Sequence, residues 1–430
     1  MPFFQLVEGL NTTTEIITVV IIGLYAAIAA AGGIGGGTVY NSALISFGVD
    51  VHRSTPLTKS VIFAGAFVLF WFNLFERSTV DKKKPAIMWD LVFFIENSVI
   101  MGAIIGAIIN VVLPTWFLLV SEFVFFTYTG ISMTIKGVKG IKKDRAKFGS
   151  RKDVSFDEII KAEKIGPDSE EGEGKALLKE PETETQQTTE TKEEAEPKQS
   201  ACSHFKYISL TRFLNFFIAL ALSSTFTILR AFVPNCSTEY WVFFAMNFVI
   251  GFIAVAINIY SMHRSFKRQR GDLLVGSQSD AFDTPKAMTK FTGVGLLAGI
   301  VASALGIGGG LIKTPLMLSM GIPPYVTRAA SSTMIVFTAF TSMLQYLVMG
   351  QVVFSEVWVY MLVAAVMFPL GYFLSEPVIR VVRSTSVIQL AISLGLVISD
   401  VFVSIQAVDS IIDMVNTGVV PGFNSICGSE

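Results

Sequence analysis

Two glycine runs carry the chemistry this sequence offers. Residues 33–37 read Gly-Ile-Gly-Gly-Gly, and residues 306–310 repeat the same five letters. Both lie in strongly apolar sequence, where a helix should run without interruption. A single mid-helix glycine costs about 1 kcal/mol relative to alanine, so runs this dense predict a break. A break leaves N–H groups without partners at the start of the next half-helix and gives that end a partial positive charge. Such an end attracts anions. The candidate site therefore takes in Gly33, Ile34, Gly35, Gly36, Gly37 and Thr38 from the first run. From the second it takes Gly306, Ile307, Gly308, Gly309, Gly310 and Leu311, with the N–H groups of 34–38 and 307–311 facing the ligand.

Charged and hydroxyl side chains follow each run. Lys59 sits in "STPLTKSVIF", a turn or so inside an apolar helix. A lysine at the centre of a membrane helix costs about 2.5–3.5 kcal/mol on insertion scales and is a functional candidate by default. Its alternative is to snorkel to the interface. Ser60 beside it, and Ser332 and Thr333 in the second half, are hydroxyls that would bind an oxyanion; Lys313, just past the second run, is a second cation. Asp90, Glu96 and Glu122 also fall in apolar segments, where they can pair with these cations, carry protons or sit near the interfaces. The competing reading of the glycines is close helix packing through small residues, the role expected of Gly102 and Gly106. A phosphate-binding loop is excluded, because no Lys-Ser/Thr follows either run and no soluble βαβ unit surrounds them. The three histidines and three cysteines are scattered with no CxxC. That spacing points to no metal site, no cofactor and no disulfide framework. With no nucleophile or metal motif in the apolar segments, the chain does not read as an enzyme.

The elements that must position these residues are apolar helices. Of 430 residues, 52% are hydrophobic and only 16% charged, and the mean hydropathy is +0.59. Apolar runs near spanning length recur throughout, and in lipid only helices satisfy such a backbone internally. The fold class is an all-α polytopic membrane protein with 8 to 10 crossings, in the plasma membrane or an endomembrane. Residues 1–135 form a first transmembrane repeat, and 209–262 two linking helices. Residues 263–286 form a cytoplasmic loop, 287–408 a second repeat, and 409–430 a polar tail. No cleavable signal peptide is expected, since residues 1–14 lack a basic stretch. Residues 136–208 change character, from Lys136, Lys139, Lys142 and Lys143 into a Glu/Thr/Lys-rich tract. This composition predicts a disordered loop. The basic 136–152 stretch places it in the cytoplasm and is a candidate for binding anionic lipid. No nucleic-acid partner is implied.

Residues 33–62 align with 306–335 without a gap, glycine on glycine at five positions including Gly48 on Gly321. Paired interrupted segments in two halves point to a transporter's binding site. Two topologies compete. Either each broken segment crosses once, giving ten spans and parallel repeats, or each is a re-entrant hairpin, giving eight spans and inverted repeats. The positive-inside rule favours the hairpin, which moves Arg328, Arg380 and Arg383 to the cytoplasmic side. Against it stands the first arm, 15–32, long for a segment that turns back.

At these residues the chain resembles the sulfite exporter TauE/SafE family, also called the toluene-sulfonate uptake permease family, and within it the eukaryotic plant-like branch. The resemblance rests on both GIGGG motifs, "KTPLML", "STPLTKSVI", "GIPPYVTRAASSTMIVF" and "WDLVFFIENSVIMGAIIGAIINVVLPTW". It covers nearly all the apolar sequence but not 136–208. Asn41-Ser42 stands where the family often has a proline, whereas Pro315 is kept. What the resemblance implies is transport of sulfur-containing anions such as sulfite or sulfonates. Together with the repeat, this gives the expected function: a multi-pass carrier of small anions working by alternating access. A non-transporting scaffold or sensor acting through 136–208 is the rival.

Overall fold

The computed structural model describes residues 11–76, 85–148, 209–234, 236–268, 285–319, 322, 324–382, 384 and 386–425. Their secondary structure is helical. α1 spans Thr12–Gly32, α2 Gly37–Ser46, α3 Val51–Phe75, α4 Trp89–Val112, α5 Thr115–Phe148 and α6 Leu210–Arg230. α7 spans Thr238–Arg268, α8 Pro285–Ala304, α9 Gly310–Ser319, α10 Pro324–Val348, α11 Phe354–Val382 and α12 Ser386–Thr417. Among the described residues, nine helices are long and apolar enough to cross a membrane. The chain is an integral multi-pass membrane protein. The helix starts Thr12, Gly37 and Val51 recur 273 residues later as Pro285, Gly310 and Pro324. The expected match of Gly48 with Gly321 lies partly outside the described residues.

Side-chain contacts fix the relative directions of α3, α4, α6, α10 and α11. Arg53, at the start of α3, pairs with Glu356 at the start of α11 (2.6 Å). Arg328, at the start of α10, reaches Glu76 just past α3 (3.7 Å). Arg212, at the start of α6, pairs with Asp90 at the start of α4 (2.9 Å), and Arg230, at the end of α6, bonds Gln345 near the end of α10 (2.8 Å). The starts of α3 and α11 therefore lie at one end of the bundle, the top, with the ends of α6 and α10. The starts of α4, α6 and α10 lie at the bottom.

The glycine-broken segments turn back on themselves. α1 runs downward beside α11, with Gly23 against Val363 and Met367 and Gly371 against the Ala27 backbone. Gly33 closes α1 at φ 66°, and the N–H groups of Gly33 and Ile34 return to the carbonyls of Ala30 and Ala29. This glycine-capped ending needs a left-handed residue. Gly36, at φ 71°, opens α2, which climbs back to the top, where Asp50 meets Thr115. α8 does the reverse. It rises beside α4, with Gly102 against Leu296 and Gly106 against Ile300. After its break, α9 descends until Met317 joins Ala86 and Ile87 in one apolar cluster. The hairpin arrangement thus holds at both breaks, and the two hairpins enter from opposite ends. The long first arm is accommodated because its break lies well past the middle of the bundle, level with Arg328 and Ser331 near the bottom of α10.

Three expectations shift at the edges. Residues 136–148 continue α5 as helix, since Gly137 and Gly140 let it run against Leu390 and Ser386 of α12; the rest of 136–208 lies outside the described residues. α12 extends to Thr417, into the expected tail. Cys236, in the top loop between α6 and α7, is disulfide-bonded, which wide cysteine spacing did not suggest.

Candidate functional site

The two glycine breaks meet backbone to backbone. A Cβ on Gly310 would stand 2.6 Å from the Gly33 carbonyl oxygen, and one on Gly37 would stand 2.5 Å from the Gly306 oxygen and 2.8 Å from the Gly308 nitrogen. One on Gly308 would strike the Ile34 oxygen. The glycines thus serve both readings raised by the sequence: they break the helices, and they let the broken backbones touch.

Several backbone groups at the breaks find partners within the protein. The N–H of Ile34 binds Ala29 and that of Leu311 binds Gly308 (both 3.1 Å), so these two expected anion donors are occupied in this conformation. α2 starts without a side-chain cap. The Gly33 carbonyl accepts the Ser331 hydroxyl (2.8 Å). The C-terminal carbonyls of α8 and carbonyls of the break that follows it are claimed by other helices. Lys59 donates to Ala302 (2.5 Å) and Ile307 (2.7 Å). Tyr346 donates to Ser303 (2.8 Å), Asn110 to Ala304 (2.7 Å) and Asn41 to Leu305 (3.4 Å). A cation at a helix C-terminus also meets the negative end of its dipole. Lys59 does not snorkel; its side chain is 1% exposed and points inward.

Lys313 is equally buried and occupies a different network. It pairs with Glu96 of α4 at 3.0 Å, both side chains fully shielded, and donates to the Thr338 hydroxyl (2.8 Å), which in turn donates to Glu96. The expected pairing of an intramembrane carboxylate with a nearby cation is present here. Asp90 pairs instead with Arg212, a partner that sequence reading did not single out. Glu122 accepts from Asn41 (2.8 Å), whose Oδ1 takes the Ser54 hydroxyl (2.7 Å).

The hydroxyls expected around Lys59 are not gathered there. Ser60 donates to its own helix at Pro56 (3.1 Å) and Thr333 to Ala329 (2.8 Å). Ser332 faces Asn73 near the bottom (2.7 Å). The reason is angular: successive residues on a helix point about 100° apart, so neighbours of Lys59 in sequence are not its neighbours in space. Thr38 is buried at the start of α2, with Ser42 bonded to its carbonyl (2.8 Å). Asn41, Asn110, Tyr346 and Thr338 were missed. Each is a polar residue in an apolar helix, and only the partner across the bundle gives it meaning.

Comparison with known proteins gives this geometry a context. The family model described as Sulfite exporter TauE/SafE matches residues 200–399. The chain carries a TauE/SafE domain. Its relatives extend over most of its length. It is 25% identical over 422 residues to "Sulfite exporter TauE/SafE family protein 1" of Arabidopsis thaliana, covering 96% of this chain and 88% of that protein. It is 26% identical over 410 residues to "Sulfite exporter TauE/SafE family protein 5" of the same plant, covering 94% and 85%. No solved structure matches. The TauE/SafE match takes in the second glycine break, Lys313 and the hydroxyls of α10. The first break, Lys59 and Glu122 fall in the region that the longer alignments cover.

Proposed function

We propose that this TauE/SafE chain is a membrane transporter of small anions, with sulfur oxyanions such as sulfite and sulfonates as its substrate class, working by alternating access. The observation that carries the reading is the meeting of two broken hairpins from opposite ends, backbone against backbone, beside the buried ammonium of Lys59. Discontinuous helices facing each other at the interface of two halves are the setting in which transporters bind charged substrates. The names borne by the relatives support the substrate class. In the conformation described, Lys59 is held by carbonyls. Parting of the hairpins would release it, and the uncapped start of α2, to an oxyanion. Residues 1–135 and 287–408 act as the two halves, with 209–262 linking them.

Orientation follows from charge. Exposed Lys136, Lys139, Lys142, Lys143 and Arg145 line the bottom of α5, so the positive-inside rule assigns the bottom to the cytoplasm. The disulfide at Cys236 lies at the top, on the side where disulfides persist. The basic end of α5 is placed to touch anionic headgroups.

The test is ligand-dependent stabilisation of the purified protein by sulfite, thiosulfate, sulfate, sulfonates and chloride. A ligand that binds only the folded state adds about 2.7 kcal/mol at a hundredfold excess over Kd. One oxyanion should stabilise the wild type and fail to stabilise Lys59→Met. Equal stabilisation of both proteins removes Lys59 from the site, and no stabilisation by any anion overturns the reading.

A further inference from the structure

Each hairpin presents one polar side chain to a buried carboxyl on a crossing helix, and the two pairs differ in charge. Lys313 of α9 meets Glu96 of α4 as an ion pair. Asn41 of α2 meets Glu122 of α5 as a neutral amide, Nδ2 to Oε1 2.8 Å. Glu122 is 0% exposed, and its Oε2 has no hydrogen-bond partner. Leu118, Leu119 and Phe126, three or four residues away on the same helix face, belong to an apolar cluster shared with Leu305 and Ile307 of the second break.

Among the described residues, the ionisable groups on the surrounding elements form no hydrogen bond or ion pair with Glu122. On α3, Lys59 holds two carbonyls, Arg53 pairs with Glu356, and His52 lies at the top beside Asn424. On α2, Tyr40 is buried and its hydroxyl has no hydrogen-bond partner. On α9, Lys313 is paired with Glu96. On α12, Asp400 accepts from Thr127, more than a turn further along α5, and Asp409 and Asp413 lie beyond it toward the top. α8 brings Lys286 and Lys290 only at the bottom. No ion pair among the described residues includes Glu122.

We propose that Glu122 is a proton-binding site that couples protonation to the contact between the two hairpins. A carboxylate in this apolar cluster has no cation to offset its desolvation, and protonation removes the charge. Asn41 makes the coupling physical: it touches Glu122 on α5, Ser54 on α3 and the Leu305 carbonyl at the end of α8. With the proton bound, the neutral carboxyl fits the packed state. When the O–H bond breaks and the proton leaves to water, the carboxylate that remains must be hydrated, and water can reach it only if α2 and the end of α8 separate. The assignment deepens the transport reading and rests on it only for the coupling to an anion.

Two measurements test it on the full chain in lipid nanodiscs or liposomes. The first is the infrared C=O band of protonated carboxyls, followed as pH is varied, in wild type and Glu122→Gln. Glutamine keeps the oxygen that accepts from Asn41, so the fold should survive. A titrating band should vanish in the variant; an unchanged band overturns the proton site. The second is sulfite uptake with and without an imposed pH gradient. The wild type should respond to the gradient, and in Glu122→Gln the ratio of the two rates should fall to unity. A retained response overturns the coupling. If the wild type moves no sulfite while the band still vanishes, the transport reading fails and the proton site stands.

Discussion

At the scale of single residues, Lys59 has two roles that a mutation must separate. It holds one carbonyl of α8 and one of the break after it, and it is the cation proposed for the substrate. Leaving a buried acceptor unsatisfied costs about 1–3 kcal/mol. Lys59→Ala should therefore lower unfolding stability by that order even without substrate, and denaturation of the purified protein checks this before transport is interpreted. The Lys313–Glu96 pair makes a sharper prediction. Lys313→Met should cost about 3–5 kcal/mol, because a buried carboxylate loses its partner. Adding Glu96→Gln should recover most of the loss, and the same denaturation measurement on single and double variants reads it. The lysines and glutamates were legible in the sequence as misplaced charges. Which charge meets which was not, since Glu96 and Lys313 are 217 residues apart.

At the scale of elements, the breaks were legible and their contact was not. Dense glycine in an apolar run predicts a helix end, and α2 and α9 begin at Gly37 and Gly310. That each break presses on the other follows only from the fold. Gly310→Ala places a methyl group 2.6 Å from the Gly33 oxygen and 2.8 Å from the Ile34 Cα, two backbone atoms that no side-chain rotation can move away. It should abolish a monodisperse folded protein or shift its melting temperature down by several degrees. Gly293→Ala, in α8, meets nothing within 4 Å and should be neutral or stabilising by up to about 1 kcal/mol from helix propensity. Thermal unfolding of the two variants side by side separates packing from propensity. Ser60 and Thr333 mark the limit of sequence reading in the other direction. Their types suggested a ligand shell, but each hydroxyl bonds the carbonyl four residues back, a common resting place for serine and threonine in helices.

At the scale of the whole molecule, opposed hairpins decide the path of the chain. Each broken segment returns to the end it came from, so the start of α1 and the loop before α11 share the top. Cysteines introduced at Thr12 and Gln351 should label from the same side of a sealed vesicle with an impermeant thiol reagent. A cysteine at Lys143 should label from the other face. Ten straight crossings put all three positions on one side, and that labelling pattern would refute the hairpin arrangement.

The sequence by itself determined that the chain lives in a membrane, that its elements are helices, and where two of them break. Composition, apolar run length and glycine density are local quantities, and the bilayer leaves few ways to satisfy a backbone. The tertiary structure decided which end each hairpin enters, that the breaks touch, that Lys59 faces carbonyls, and that Glu122 meets an amide where Glu96 meets a cation. Those are contacts between residues far apart in the chain, set by which helix faces pack together, and no local pattern encodes the partner.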